Sequence, residues 1–177
     1  MTKTGGGAFG GRMAVVPRAL LEMAEGNQYP FPSPTSSILD FGAGHGKHTD
    51  QLRSSGFENV TAYDFPDSKY FRDGFHDPNA LDHEYEWIMA SNVLNVQPSL
   101  VALRETLDQL WSALGNQEGA IIANFPASPR KMEDLGIVGK GKMKPIVEKE
   151  IKKRFSTFFR YPHLGSPSTP VWILGNF

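Results

Sequence analysis

The apolar run Ile38-Leu39-Asp40-Phe41 breaks into Gly42, Gly44 and Gly46, and a polar segment beginning Lys47-His48-Thr49 follows at once. A short apolar run, a turn in which every second residue lacks a Cβ, and a helix-compatible stretch together describe a strand that turns sharply into a helix. Repeated along a chain, that unit builds a parallel sheet covered by helices. The repetition is present: Ser37 to Phe41 predicts a strand, Gly46 to Ser55 a helix, and Asn59 to Tyr63 a second strand. Tyr85 to Ser91 predicts a third strand, and Gly119 to Phe125, whose Ile121-Ile122 centre has no polar face, a fourth. Between these two, Leu100, Leu103, Leu107, Leu110, Trp111 and Leu114 recur at helical spacing from Pro98 to Leu114, with Gly115 as the stop.

The ends of the chain read differently. Gly5, Gly6, Gly7, Gly10 and Gly11 leave the first dozen residues, 1–12, little to pack, which predicts a flexible arm. Met13 to Gly26 predicts a helix with Pro17 in its first turn, and Pro30, Pro32 and Pro34 then exclude regular structure. Near the other end, Pro145 to Arg154 predicts a basic amphipathic helix. Ser156 to Tyr161 and Val171 to Leu174, joined through Gly165, Pro167 and Pro170, predict an antiparallel hairpin at the sheet edge. The fold class is therefore α/β: a Rossmann-like, doubly wound, mostly parallel sheet with an antiparallel C-terminal hairpin, in one domain spanning 1–177.

With 177 residues there is room for one domain and not two full ones. Hydrophobic residues at 40% and charged residues at 21% match folded proteins rather than disordered chains. There is no cysteine, so disulfides, thiolate metal sites and a cysteine nucleophile are excluded, and no metal centre is expected. No apolar run approaches the roughly 20 residues that span a bilayer, and a cytoplasmic location is the expectation.

In a doubly wound sheet, ligands bind at the carboxyl ends of the strands where the strand order reverses. The glycine turn lies there, Asp40 closes the first strand, and Asp64 closes the second, where a carboxylate can accept the two hydroxyls of a ribose. The segment Ile38-Leu39-Asp40-Phe41-Gly42-Ala43-Gly44-His45-Gly46 resembles the first motif of class I S-adenosylmethionine-dependent methyltransferases: an acidic residue followed by three alternating glycines. Nicotinamide enzymes carry the third glycine one residue later, where Lys47 stands. The resemblance implies that Gly42, Ala43, Gly44, His45 and Gly46 face the methionine and ribose parts of S-adenosylmethionine, that Asp40 lies near its amino group, and that Asp64 takes the ribose.

Further motifs fall in order over about 100 residues. His76-Asp77-Pro78-Asn79-Ala80-Leu81 stands where the family lines the adenine, through either Asp77 or the Asn79, Ala80 and Leu81 backbone; Asp77-Pro78 is equally a turn opener. The strand ending in Ser91-Asn92-Val93 is similar to the family's fourth motif, beside the reactive methyl. Two departures stand out. Only about 20 residues separate Asp64 from Tyr85, so the usual helix and third strand must be short or degraded. Asn92 is followed by Val93-Leu94 rather than by the Pro-Pro-aromatic run of many amino-methylating enzymes.

The activity implied is methyl transfer from S-adenosylmethionine, leaving S-adenosylhomocysteine, to an oxygen or nitrogen nucleophile of a small-molecule or nucleic-acid acceptor. Alternatives are a nucleic-acid methyltransferase that relies on a partner for recognition, and a non-catalytic cofactor-binding regulator or subunit. His45, His48, His76 and His83 are base candidates by type, although methyl transfer needs none. Asn95 either orients substrate or caps the next helix, and Arg130 and Lys131 lie on the strand-end loop that would form a substrate lip. From Arg130 to Arg160 the chain carries a local charge of +6 that leaves −7 for the remainder, enough to draw a phosphate-bearing substrate unless it is a solvated helix face. The terminal hairpin offers an edge able to pair with another chain.

Overall fold

The computed structural model describes residues 13–26, 31–115, 118–126 and 132–177. The glycine-rich stretch before Met13, together with Pro30, Arg130 and Lys131, lies outside them. In chain order the elements are α1 (Val15–Glu25), β1 (Ser37–Phe41), α2 (Lys47–Ser54), β2 (Asn59–Tyr63), β3 (Trp87–Ala90), α3 (Leu100–Leu114), β4 (Ala120–Asn124), α4 (Lys140–Lys152), β5 (Thr157–Gly165) and β6 (Pro170–Gly175). The strands form one sheet in the order β2-β1-β3-β4-β6-β5. β2, β1, β3 and β4 run parallel, β6 lies antiparallel to β4, and β5 antiparallel to β6.

The pleat sends alternate residues to opposite faces, and each face has its own core. Ile38, Val60, Trp87, Met89, Ile122 and Ile173 pack with Val16 and Leu20 of α1 and Leu52 of α2. Leu39, Phe41, Ile88, Ile121 and Leu174 pack with Leu103, Leu107 and Leu110 of α3 and Met143, Val147 and Ile151 of α4. Both faces are dry, which is why these strands read as continuous apolar runs. At its start, α3 is capped twice. Ser99 Oγ accepts the Ala102 N–H at 3.0 Å and Asp134 Oδ2 accepts the Leu100 N–H at 2.9 Å. Asn95 therefore has no capping role, and that alternative is removed.

Two expectations change. α4 begins at Lys140, five residues before the expected start, and carries Pro145 inside it rather than in its first turn. Proline cannot donate to the carbonyl four residues back, but Gly141 stands there with no side chain and open space around it, easing the fit. The hairpin strand β5 also runs on to Gly165, across an irregular register between Arg160 and Gly165 that accommodates Pro162.

The shortened stretch after β2 is as trimmed as its length requires. Between Asp64 and Glu86 there are turns, a single 3-10 turn at Ala80–Asp82, and one isolated parallel bridge between Ala62 and His76. Pro66, Gly74 and Pro78 interrupt any period there, and the bridge at His76 is all that stands where a further strand would extend the sheet. No helix among the described residues is long and apolar enough to cross a membrane.

Candidate cofactor and acceptor site

The chain leaves β1 for β2 on one side and returns to β3 on the other, so the strand order reverses beside β1 and a crevice opens at the carboxyl ends of β1 and β3. The glycine turn fills this position. Gly42 and Ala43 both donate their N–H to the Tyr63 carbonyl, at 2.9 and 2.8 Å, which ties the turn to the end of β2. Gly44 donates to Asp64 Oδ2 at 3.0 Å, and Asp64 Oδ1 accepts the Phe65 N–H at 2.8 Å. Both carboxylate oxygens thus hold backbone, and each retains a lone pair for a further donor.

All three glycines have left-handed backbone, with φ of 74°, 57° and 78°, yet they do three different jobs. A Cβ on Gly42 would lie 2.9 Å from Val93 Cγ2, so this glycine lets the fourth-motif segment close on the turn. On Gly46 a Cβ would lie 2.2 Å from the Phe75 ring. Around Gly44 there is nothing within 4 Å, which makes it the open wall of the turn. That is a cradle of the kind a ligand fills.

Asp40 is buried at the end of β1. Its Oδ2 accepts the Thr49 hydroxyl of α2 at 2.7 Å. Burial raises its pKa from the ordinary carboxylate value to about 6; Thr49 opposes the rise, Asp64 adds to it, and Arg53 offsets it. Over the turn folds the trimmed segment. Tyr70 meets the exposed His45 ring edge-on at 4.6 Å, Arg72 donates to the His45 carbonyl at 3.0 Å, and the Arg72 guanidinium lies 4.2 Å from the centre of Phe75.

Asp77 reaches the same end of the sheet because its N–H bonds the Ala62 carbonyl at 2.9 Å. Its Oδ1 accepts the Asn79 N–H at 2.8 Å, an Asx turn that leads into the buried Ala80 and half-buried Leu81. His76 is buried between Phe71 and Phe75 and accepts the Arg72 N–H on Nδ1 at 2.9 Å, a structural role. Burial lowers the pKa of His48, with Lys47 adding to the effect.

At the end of β3, Ser91 Oγ is buried and makes no hydrogen bond, and Asn95, 3% exposed, has an Oδ1 in the same condition. Unpaired buried polar atoms are costly, and these two lie four residues apart at the end of β3. Asn92 is the one non-glycine among the described residues with positive φ, 59°. Asn124, at the end of β4, holds it there: the Asn92 N–H donates to Asn124 Oδ1 at 2.7 Å, and Asn124 Nδ2 donates to Asn92 Oδ1 at 2.9 Å.

The contacts therefore join the glycine turn, Asp64, Val93 and, through β3, Ser91 and Asn92, with Asp77 to Leu81 at the β2 side. Sequence reasoning missed Asn124, Thr49 and the trio Tyr70, Arg72 and Phe75. Asn124 had a signal, as the single polar residue closing an otherwise apolar strand; the others had none. The basic segment is partly neutralised within the fold. Glu150, buried, binds Arg104 at 2.9 Å, Lys153 at 2.5 Å and Arg154 at 3.3 Å, while Lys144 pairs with Glu148 and Arg154 with Asp108.

No family model and no curated protein matches the chain by sequence. Solved structures do match. A sugar N-methyltransferase, KedS8, from Streptoalloteichus sp ATCC 53650 aligns with a TM-score of 0.59 at 10% identity, over 91% of this chain and 85% of that one. An S-adenosylmethionine-dependent methyltransferase from Bacteroides fragilis, solved with S-adenosyl-L-homocysteine, aligns at 0.57 and 16% identity, over 93% and 78%. The ribosomal protein L11 methylase from Lactobacillus delbrueckii subsp. bulgaricus aligns at 0.56 and 15%, over 91% and 78%. At such identities the likeness is one of fold: the chain has the fold of class I S-adenosylmethionine-dependent methyltransferases.

Proposed function

We propose that the chain binds S-adenosylmethionine across the carboxyl ends of β1, β2 and β3 and transfers its methyl group to an oxygen or nitrogen nucleophile. The observation that carries this reading is the closure of Asp64 on the Gly44 N–H at 3.0 Å, beside a glycine with nothing within 4 Å of its Cβ position. A carboxylate held at that point with lone pairs to spare suits a ribose diol, and the open wall suits the chain that leaves the ribose. The neighbours of the same fold include one solved with S-adenosyl-L-homocysteine.

When bound, the sulfonium supplies an activated methyl: a bond from the nucleophile to carbon forms as the sulfur–carbon bond breaks, with the electron pair left on sulfur and any acceptor proton passing to solvent. What remains for the protein is placement and exclusion of water. Asp40 offers a buried carboxylate toward an ammonium group. Val93, packed on Gly42, closes the turn on the β3 side, and Ser91 and Asn95 hold unpaired polar atoms at the end of that strand.

Calorimetric titration of the full chain with S-adenosylmethionine, S-adenosylhomocysteine and, as control, NAD tests the reading. Micromolar binding of the two sulfur ligands and none of NAD is expected. Asp64→Ala should weaken binding at least about tenfold, the size of a lost hydrogen bond to a charged group. A folded wild type that binds neither sulfur ligand would end the proposal.

A further inference from the structure

The amide pair at the ends of β3 and β4 has only one self-consistent arrangement. A backbone N–H can only donate, so the Asn124 atom 2.7 Å from the Asn92 nitrogen is the carbonyl Oδ1. The other end of that amide must then be Nδ2, which donates to Asn92 Oδ1 at 2.9 Å. Consequently the Asn92 side chain has its oxygen engaged and its NH2 group turned outward. Among the described residues that NH2 has no hydrogen-bond acceptor, and Asn92 is only half-buried, which leaves the group available to a ligand at the carboxyl end of β3. The same partner also holds the Asn92 backbone in the left-handed region, and the orientation of the Asn92 amide is set by the Asn124 NH2 it accepts from. Asn124 itself is 6% exposed and points away from solvent.

Resting on the cofactor reading above, we infer that Asn124 is a positioning residue that holds the Asn92 amide with its NH2 toward the methyl-transfer position, so that the site selects an acceptor offering a hydrogen-bond-accepting oxygen. A hydroxyl, phenol or carboxylate meets that NH2 with a lone pair. An ammonium or N–H-bearing amine meets it donor to donor, leaving two groups unpaired in a partly desolvated site, which is the strongest kind of discrimination a polar site achieves. The neighbouring Asn95 and Ser91 carry no charge that would reverse this preference.

Sinefungin, the S-adenosylhomocysteine analogue in which an amine-bearing carbon replaces sulfur, places an ammonium at the methyl position and reads this polarity without an acceptor. Both ligands are titrated into the full chain by calorimetry at pH 7.5. Wild type should bind S-adenosylhomocysteine at least about tenfold more tightly than sinefungin. In Asn124→Asp one carboxylate oxygen keeps the Asn92 N–H while the other demands a donor, so the Asn92 amide turns over and presents its oxygen; the ratio should shift at least about tenfold toward sinefungin. Because the new charge could attract an ammonium by itself, the shift is measured again in an Asn92→Ala background, where it should vanish if it acts through Asn92.

Persistence of the shift without the Asn92 side chain, no shift at all, or a wild type that prefers sinefungin would each overturn the inference. Should Asn124→Asp fail to fold, Asn92→Ala alone, which removes the NH2 without adding a charge, should erase most of the wild-type preference for S-adenosylhomocysteine, and a preference left intact is equally fatal. Failure of wild type to bind S-adenosylhomocysteine is a separate result that removes the cofactor reading itself.

Discussion

Asp40 is a single residue whose cost and use are opposed. In the folded chain burial holds its pKa near 6 against an ordinary value of 3.8, so the native state grips the proton more tightly than the unfolded state does. Stability therefore falls as pH rises between those two values, and above about 6 the full cost is present. Asp40→Asn should raise the melting temperature at pH 7.5, by up to about 2–3 kcal/mol of stability, with the gain fading to nothing below pH 4. The same variant should bind S-adenosylmethionine more weakly, since the buried negative charge is lost; thermal unfolding and titration across pH 4 to 8 check both halves. The three glycines divide in a similar way. Gly44→Ala adds a methyl to empty space at positive φ, costing about 1 kcal/mol of strain, and should fold while losing ligand. Gly46→Ala meets the Phe75 ring as well and should lose stability first, which urea unfolding of the two variants separates.

At the scale of elements, the strands and α3 were legible because their residues obey one rule along their whole length. Ser37–Phe41, buried on both faces from Ile38 on, and the edge strand Asn59–Tyr63, with Val60, Ala62 and Tyr63 buried, are bounded in sequence as they are in space by glycine and proline turns. The start of α4 was hidden because Lys140 to Lys144 has no apolar period except Met143, and Pro145 argues for a first turn where the fold places an interior position. Asp64 and the glycine turn were readable as a unit, since their spacing follows from one strand–helix–strand repeat. The partnership of Asn92 with Asn124 spans 32 residues and depends on the register of β3 against β4, which no local pattern encodes. The ion pairs joining α3 to α4 were invisible for the same reason. Glu150 is their hub: the hydrogen bond from Arg104 outweighs burial and, with Lys153, holds its pKa down to about 2 from 4.5. Its contribution is present above pH 4.5 and is lost as pH falls toward 2. Glu150→Gln should cost about 1–2 kcal/mol at pH 7, a discounted figure because Arg104 and Lys153 are 44% and 48% exposed, and the difference from wild type should close in acid.

Across the whole molecule, stability is unevenly spread, and the unevenness coincides with the site. β1, β3, β4 and β6 are buried on both faces and paired on both sides, so their amides open only with the fold itself. The stretch from Asp64 to Glu86, by contrast, has no ladder of its own: between Asp64, tied to the Gly44 N–H, and its far end, tied by the Tyr85 N–H to the Ala113 carbonyl and by Glu86 to Ser37, it is fastened by the bridge of His76 with Ala62, which the Asp77 N–H closes, and by Arg72 on the His45 carbonyl. Without a strand ladder or a helix of its own beyond one 3-10 turn, its middle opens at less than the global cost. Asp64 begins it, Phe75 and Tyr70 cover the glycine turn from it, and the proposed cofactor reading sets the adenine against Asp77 to Leu81. A ligand seated between the turn and this segment binds only the closed arrangement, so it must suppress local opening by the factor of its own saturation. Hydrogen exchange read by mass spectrometry should show 64–86 exchanging well ahead of β1, β3 and β4 in the free protein. At a hundredfold excess over its dissociation constant, S-adenosylhomocysteine should slow that segment by roughly a hundredfold, and the loop 42–46 with it. β5 and β6 lie across the sheet from the turn and should change little. Equal slowing everywhere would mean that the segment opens only when the whole chain unfolds, and that the trimmed region is as firmly built as the core.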